Sequence, residues 1–138
     1  MDDAAAQDLA RSIAQADSPD WAVRAAAGRR LAATPRIEDA SDVLHRLLLD
    51  PHDTGVTSDT AVALLDRGDL AGLRAVLAAR AVASDQDTAD QLQAELDGHP
   101  RWTTAQDGDD LIAQLRTLTS DPDPDVRSEA LLRLSHLR

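Results

Sequence analysis

The sequence predicts an all-α protein built of helical pairs stacked in series, and three observations carry that prediction. Apolar residues recur at spacings of three and four along the chain, as in Leu9 and Ile13, Leu44, Leu47 and Leu48, Leu70, Leu73 and Leu77, and Leu111, Leu115 and Leu118. That is the period of one buried helical face. Strand signals are poor, with few β-branched residues and little alternation. Finally, Pro19-Asp20-x-x-Val23-Arg24-x-x-Ala27-x-x-Arg30-Leu31 returns 103 residues later as Pro122-Asp123-x-x-Val126-Arg127-x-x-Ala130-x-x-Arg133-Leu134, with seven identities in thirteen positions.

Punctuation divides the chain into about eight helices, near 4–16, 20–33, 39–49, 58–67, 69–83, 86–97, 108–119 and 124–137. Ser18-Pro19-Asp20 parts the first two, Pro35 ends the second and Asp50-Pro51 ends the third. Gly68 suits a C-terminal cap, with Asp69 next to it as the N-cap of the fifth helix. Gly98-His99-Pro100 closes the sixth and opens the longest non-helical piece, about 98–107. Asp109 or Asp110 then caps a helix that begins at Leu111, and the carboxylates around Pro122 and Pro124 favour the positive end of the eighth.

Between the two strong copies of the repeat lie degenerate ones, Val56, Thr60 and Leu64, then Thr88, Leu92 and Leu96. The same helix position therefore steps by 33, 32 and 38 residues, which makes four units of two helices over 1–138 in one domain. A single pair cannot bury its apolar face alone, so pairs stack to build a continuous core. Alanine at close crossings and leucine between layers fill it without Phe or Tyr, neither of which the chain contains.

A Pro-Asp turn followed by Val-Arg, then Ala and Leu at helical spacing, resembles the second helix of a HEAT repeat. Asp121 to Arg127 and Ser18 to Leu31 carry the resemblance, whereas the middle units replace the Arg by Thr57 and the turn by Asp53-Thr54-Gly55. The resemblance implies a short right-handed α-α superhelix of about four helical pairs that binds proteins without catalysis. It also implies a structural role for Arg24 and Arg127, each paired with a turn Asp of a neighbouring unit. A planar guanidinium laid across a loop serves turn carbonyls and a carboxylate together, as lysine would not.

Composition narrows the function. All 14 basic residues are Arg against 25 acids, a net charge of −11, which argues against binding to nucleic acid or to an anionic membrane surface. The chain has no Cys, so thiolate metal sites and cysteine nucleophiles are excluded. His45, His52, His99 and His136 form neither a His-Glu dipeptide nor a His-x-x-x-His pair, and there is no Gly-x-Ser-x-Gly elbow or Gly-rich phosphate loop. Asp121-x-Asp123-x-Asp125 spaces acids like a calcium loop, but Val126 and Leu132 occupy the places that need Gly and a bidentate acid. The expectation is a protein without cofactor, metal or catalytic residues. The acidic N-terminus and the lack of an apolar run of about 18 residues lead us to expect a cytoplasmic location without a membrane segment.

The sharper clue is where the charge sits. Residues 85–125 hold eleven acids against Arg101 and Arg116, net −9, while 1–84 carry −4 and 126–138 carry +2. Two readings are open, a solvated face or a surface for a basic protein. In the second, Asp107, Asp109 and Asp110 supply rim charge and Trp102 an apolar anchor, with packing within its own loop as the alternative for the ring. Trp21, in the first turn of a helix, is expected to pack on the preceding helix. The leading function is a non-catalytic protein-binding module, in its narrower form an immunity or antitoxin protein that masks a basic partner. The rival is a HEAT-like enzyme or nucleic-acid-processing protein of glycosylase or lyase type, for which Trp102 and Asp107 are the loosely qualifying residues.

Overall fold

The computed structural model describes residues 3–100 and 105–137. Among them are eight α-helices, a 3₁₀ turn at Ile37–Ala40, and no strand. The helices are α1 (Asp3–Gln15), α2 (Trp21–Ala32), α3 (Ser41–Leu48), α4 (Thr54–Asp66), α5 (Leu70–Val82), α6 (Gln86–Gly98), α7 (Ala105–Leu118) and α8 (Pro124–His136). No described helix is long and apolar enough to cross a membrane.

The even-numbered helices start alike. Each takes its N-cap from an aspartate whose carboxylate accepts a backbone N–H of the first turn: Asp20 from Ala22 (2.9 Å), Asp53 from Gly55 (2.7 Å), Asp85 from Thr88 (3.1 Å) and Asp123 from Asp125 (2.9 Å). Such a cap satisfies one of the orphan donors of a helix start and places a negative charge at its positive end. Counting from these caps, the seventh position is Ala27, Thr60, Leu92 and Ala130, and all four have 0% exposure. The 33-, 32- and 38-residue steps in the sequence are therefore steps between equivalent buried positions.

Packing follows that register. α2 lies along α4, α4 along α6, and α3 along α5, while α8 packs against α5 and α7. Leu31, Leu44, Leu48, Leu64, Leu77 and Leu92 are fully buried at these contacts, each contributing roughly 1.5–3 kcal/mol. Two glycines set the closest approaches. A Cβ on Gly28 of α2 would overlap the Thr60 hydroxyl of α4, and one on Gly72 of α5 would overlap the Leu64 carbonyl oxygen. Gly68 ends α4 at φ 73°, a backbone conformation that other residues rarely adopt.

The structure moves several boundaries. α4 begins at Thr54, four residues before the expected 58, because Asp53 caps it and burial of Val56 and Thr57 outweighs their modest helix propensity. α7 begins at Ala105 and not at 108, so Asp109 and Asp110 lie inside the helix and neither caps it. Gly108 does not break α7, since its cost of about 1 kcal/mol is small beside the burial of Leu111, Leu115 and Leu118. Trp21 does not bury itself on the preceding helix. It is 51% exposed, and its ring edge lies beside Gly55 in the first turn of α4.

Candidate functional site

The turns that precede the capped helices hold the ionic architecture of the chain. In the first, Ser18 Oγ accepts the Asp20 N–H; in the second, Asp50 accepts the N–H groups of His52 and Asp53; in the last, Asp121 accepts that of Asp123. Arg24 spans two turns. Its Nη1 donates to the Ser18 carbonyl (3.0 Å), while Nε and Nη2 grip Asp50 at 2.8 and 3.3 Å. Both side chains are buried, at 11% and 5% exposure.

Arg127 makes only the first half of this arrangement. Its Nη1 donates to the carbonyls of Asp121 (2.7 Å) and Pro122 (3.2 Å) of its own turn. The carboxylate of Asp121 is held by Arg74 of α5, at 2.7 and 3.0 Å. The expected pairing of Arg127 with the Asp of a neighbouring turn is therefore absent among the described residues. It serves only its own turn, and the Asp121 carboxylate of that turn takes its arginine from α5 instead. Arg127→Ala is expected to cost about 1 kcal/mol, the value of a half-exposed charged donor on backbone oxygens, and thermal unfolding measures it. No change at all would remove Arg127 from the structural residues.

Burial alone would raise the Asp50 carboxyl, but Arg24 and the two turn N–H groups outweigh it and hold the acid below its ordinary range. Asp121 is held low chiefly by Arg74, and Asp69, despite burial, by Arg67 and the Gly72 N–H. Groups whose folded pKa is depressed stabilise the fold above the unfolded value, about 3.9, and lose that contribution as pH falls through the lower folded value. The melting temperature should therefore hold from pH 7 to about 5 and drop steeply below about 4. A melting temperature indifferent to acid between those values and pH 2.5 would contradict the three pairings.

Against this frame the acidic segment changes character. Of its eleven acids, Asp85 and Asp123 are caps, Asp121 belongs to Arg74, Asp97 accepts from Arg133 (2.9 Å), and Glu95 accepts from Ser58 and Gln91. Arg74 and Arg133 come from outside 85–125, so the net −9 of the segment is partly neutralised in space. Asp87, Asp109, Asp110 and Asp125 are exposed and hold no salt bridge among the described residues. Along α7, Asp107 and Asp110 are three residues apart and share a side, while Asp109 projects well away from Asp107. The three acids do not converge, and Asp107 is half-buried. Trp102 lies outside the described residues.

Sequence reasoning missed Arg67, whose Nη1 donates to the carbonyls of Ala32 (2.7 Å) and Thr34 (2.8 Å) while Nε reaches Asp69. It ties the end of α2 to the start of α5, and no local motif marks it. His99 against Asp66 at 2.8 Å was likewise unmarked. Asp50 was legible, since Asp50-Pro51 repeats Asp121-Pro122. Where α5, α6, α7 and α8 meet, Leu73, Leu96, Leu115 and Leu137 line a pocket of about 370 Å³ with Asp97 and Arg133 beside them. No group of three or more metal-ligating side chains occurs among the described residues. Compared with protein families, curated proteins and solved structures, the chain matches none.

Proposed function

We propose that the chain is a short HEAT-like α-solenoid of four helical pairs that acts as a non-catalytic protein-binding module. The observation that carries this reading is the fourfold recurrence of an Asp-capped helix with one buried register, a construction suited to presenting surface rather than enclosing a reaction centre. The partner is a basic protein received on the α6–α7 side. There Asp87, Asp109 and Asp110 remain open to solvent, and the pocket beside Asp97 and Arg133 offers an apolar slot for an anchoring side chain. In its narrower form, the module masks a basic toxin-like protein, since exposed acids speed capture of a cationic target.

Affinity capture from the native cell identifies the partner, and association kinetics then test the surface. The triple variant Asp107→Asn, Asp109→Asn, Asp110→Asn is expected to slow association roughly tenfold at low salt and to flatten its salt dependence, because exposed charges steer encounter and are screened beyond about 8 Å at physiological ionic strength. Trp102→Ala is expected to speed dissociation by about 2 kcal/mol, the mark of an anchoring ring. Association unaffected by salt, with both variants binding like the parent, would leave these acids a solvated face.

A further inference from the structure

We propose that the exposed face of α8 is a docking surface for a helix of another protein whose preceding turn presents an aspartate to Arg127. The proposal rests on the binding-module reading but uses a different surface from α7. Its template lies inside the chain.

Counting from the capping aspartates, Arg24, Ala25, Gly28 and Ala32 hold the fourth, fifth, eighth and twelfth places of α2. All four are buried, Arg24 against the Asp50 turn and Gly28 against Thr60 of α4. In α6 the eighth and twelfth places are Gln93 and Asp97, and both accept from Arg133 of α8. This register thus faces the following pair in the first unit and again in the third. In α8 the same places are Arg127, Ser128, Leu131 and Ser135, and the last three are exposed. Leu131, at 57%, is the most exposed of the large hydrophobic residues described.

The arginine says what belongs there. Arg24 splits its guanidinium between its own turn, through Nη1, and the carboxylate of the next turn, through Nε and Nη2. Arg127 places Nη1 on its own turn in the same way, while its Nε and Nη2 make no hydrogen bond among the described residues. That open edge is a two-pronged donor whose geometry matches a carboxylate. An occupant fits when its helix lays small apolar residues over Leu131 between the two serines and its turn carries Asp at the place Asp50 holds. A second copy stacked end-on fits poorly, because its first turn has Ser18 before the proline where the second has Asp50, with its hydroxyl engaged by the Asp20 N–H, and the neighbouring Asp17 is already paired with Arg46 at 3.0 Å.

The chain has no cysteine, so Ser128→Cys gives a single reporter on this face. As the probe, a duplicate of residues 34–138 without the cysteine, which lacks α1 and α2 but keeps the Asp50 turn and α4 on the α3, α5 and α6 packing they have in the parent, is joined after residue 138 through a flexible Gly/Ser linker. This holds it at roughly millimolar effective concentration. Thiol labelling is expected to slow at least tenfold relative to the unextended Ser128→Cys chain. Asp50→Asn in the appended duplicate alone, which leaves the parent chain untouched, should restore it, as should Arg127→Ala in the parent chain. Three outcomes would overturn the proposal: labelling as fast as in the unextended chain, protection that survives both substitutions, or protection of the unextended chain that grows with its concentration, which would make a second copy the occupant. The Asp→Asn substitutions on α7 should leave labelling unchanged, so failure here and failure of the acidic-surface reading are separate results.

Discussion

Arg24→Ala is expected to destabilise the fold by about 3–5 kcal/mol, because it abandons a carboxylate that the fold has already removed from water. Asp50 is 5% exposed, and after the substitution only the His52 and Asp53 N–H groups would face it. Against a total stability of about 5–15 kcal/mol for a domain this size, that is roughly a fifth of it at the least and all of it at the most. Denaturant unfolding measures the loss. Part of it should be recoverable without any charge, since Arg24→Met with Asp50→Asn removes both charges and their desolvation penalty while the amide oxygen still accepts the His52 and Asp53 N–H groups. A single Arg24→Ala variant that unfolds like the parent would show that the pair does not hold the first two turns together.

Gly72→Ala is the second large effect, at about 2–3 kcal/mol. The new Cβ would meet the Leu64 carbonyl oxygen, which belongs to the backbone of α4 and cannot rotate away. Relief requires α5 to move off α4, and that strains the Asp69 cap whose carboxylate accepts the Gly72 N–H at 2.9 Å. Gly28→Ala meets the Thr60 side chain instead, so it should cost less than Gly72→Ala. Thermal unfolding of the two variants orders them. Equal stability would mean that α4 and α5 tolerate separation.

The helices were largely legible in the sequence because their causes are local. Asp20, Asp69 and Asp123 announce helix starts by their side-chain chemistry, and the three-and-four spacing of Leu announces the buried face. The starts of α4 and α7 were misread for one reason in both cases. Gly55 and Gly108 resemble turn residues, yet Val56 and Thr57 beside the first, and Leu111 and Leu115 one and two turns beyond the second, are buried deeply enough to carry the helix through them. The acidic segment was legible as composition but not as a surface, because its neutralising arginines, Arg74 and Arg133, are 47 and 36 residues away from their partners Asp121 and Asp97.

The sequence by itself determined that the chain is helical, where most helices begin, and that one buried register recurs four times, since caps and apolar period act within a few residues. Only the tertiary structure decided that Arg24 reaches Asp50, that Arg74 and not an arginine of the recurring pattern holds the Asp121 carboxylate, that Arg67 joins two helix ends, and that Leu131 faces solvent. Those outcomes depend on which side chains meet across helix crossings, so that two arginines at the same place after their capping aspartates differ, Arg24 meeting the Asp50 carboxylate and Arg127 only the carbonyls of its own turn.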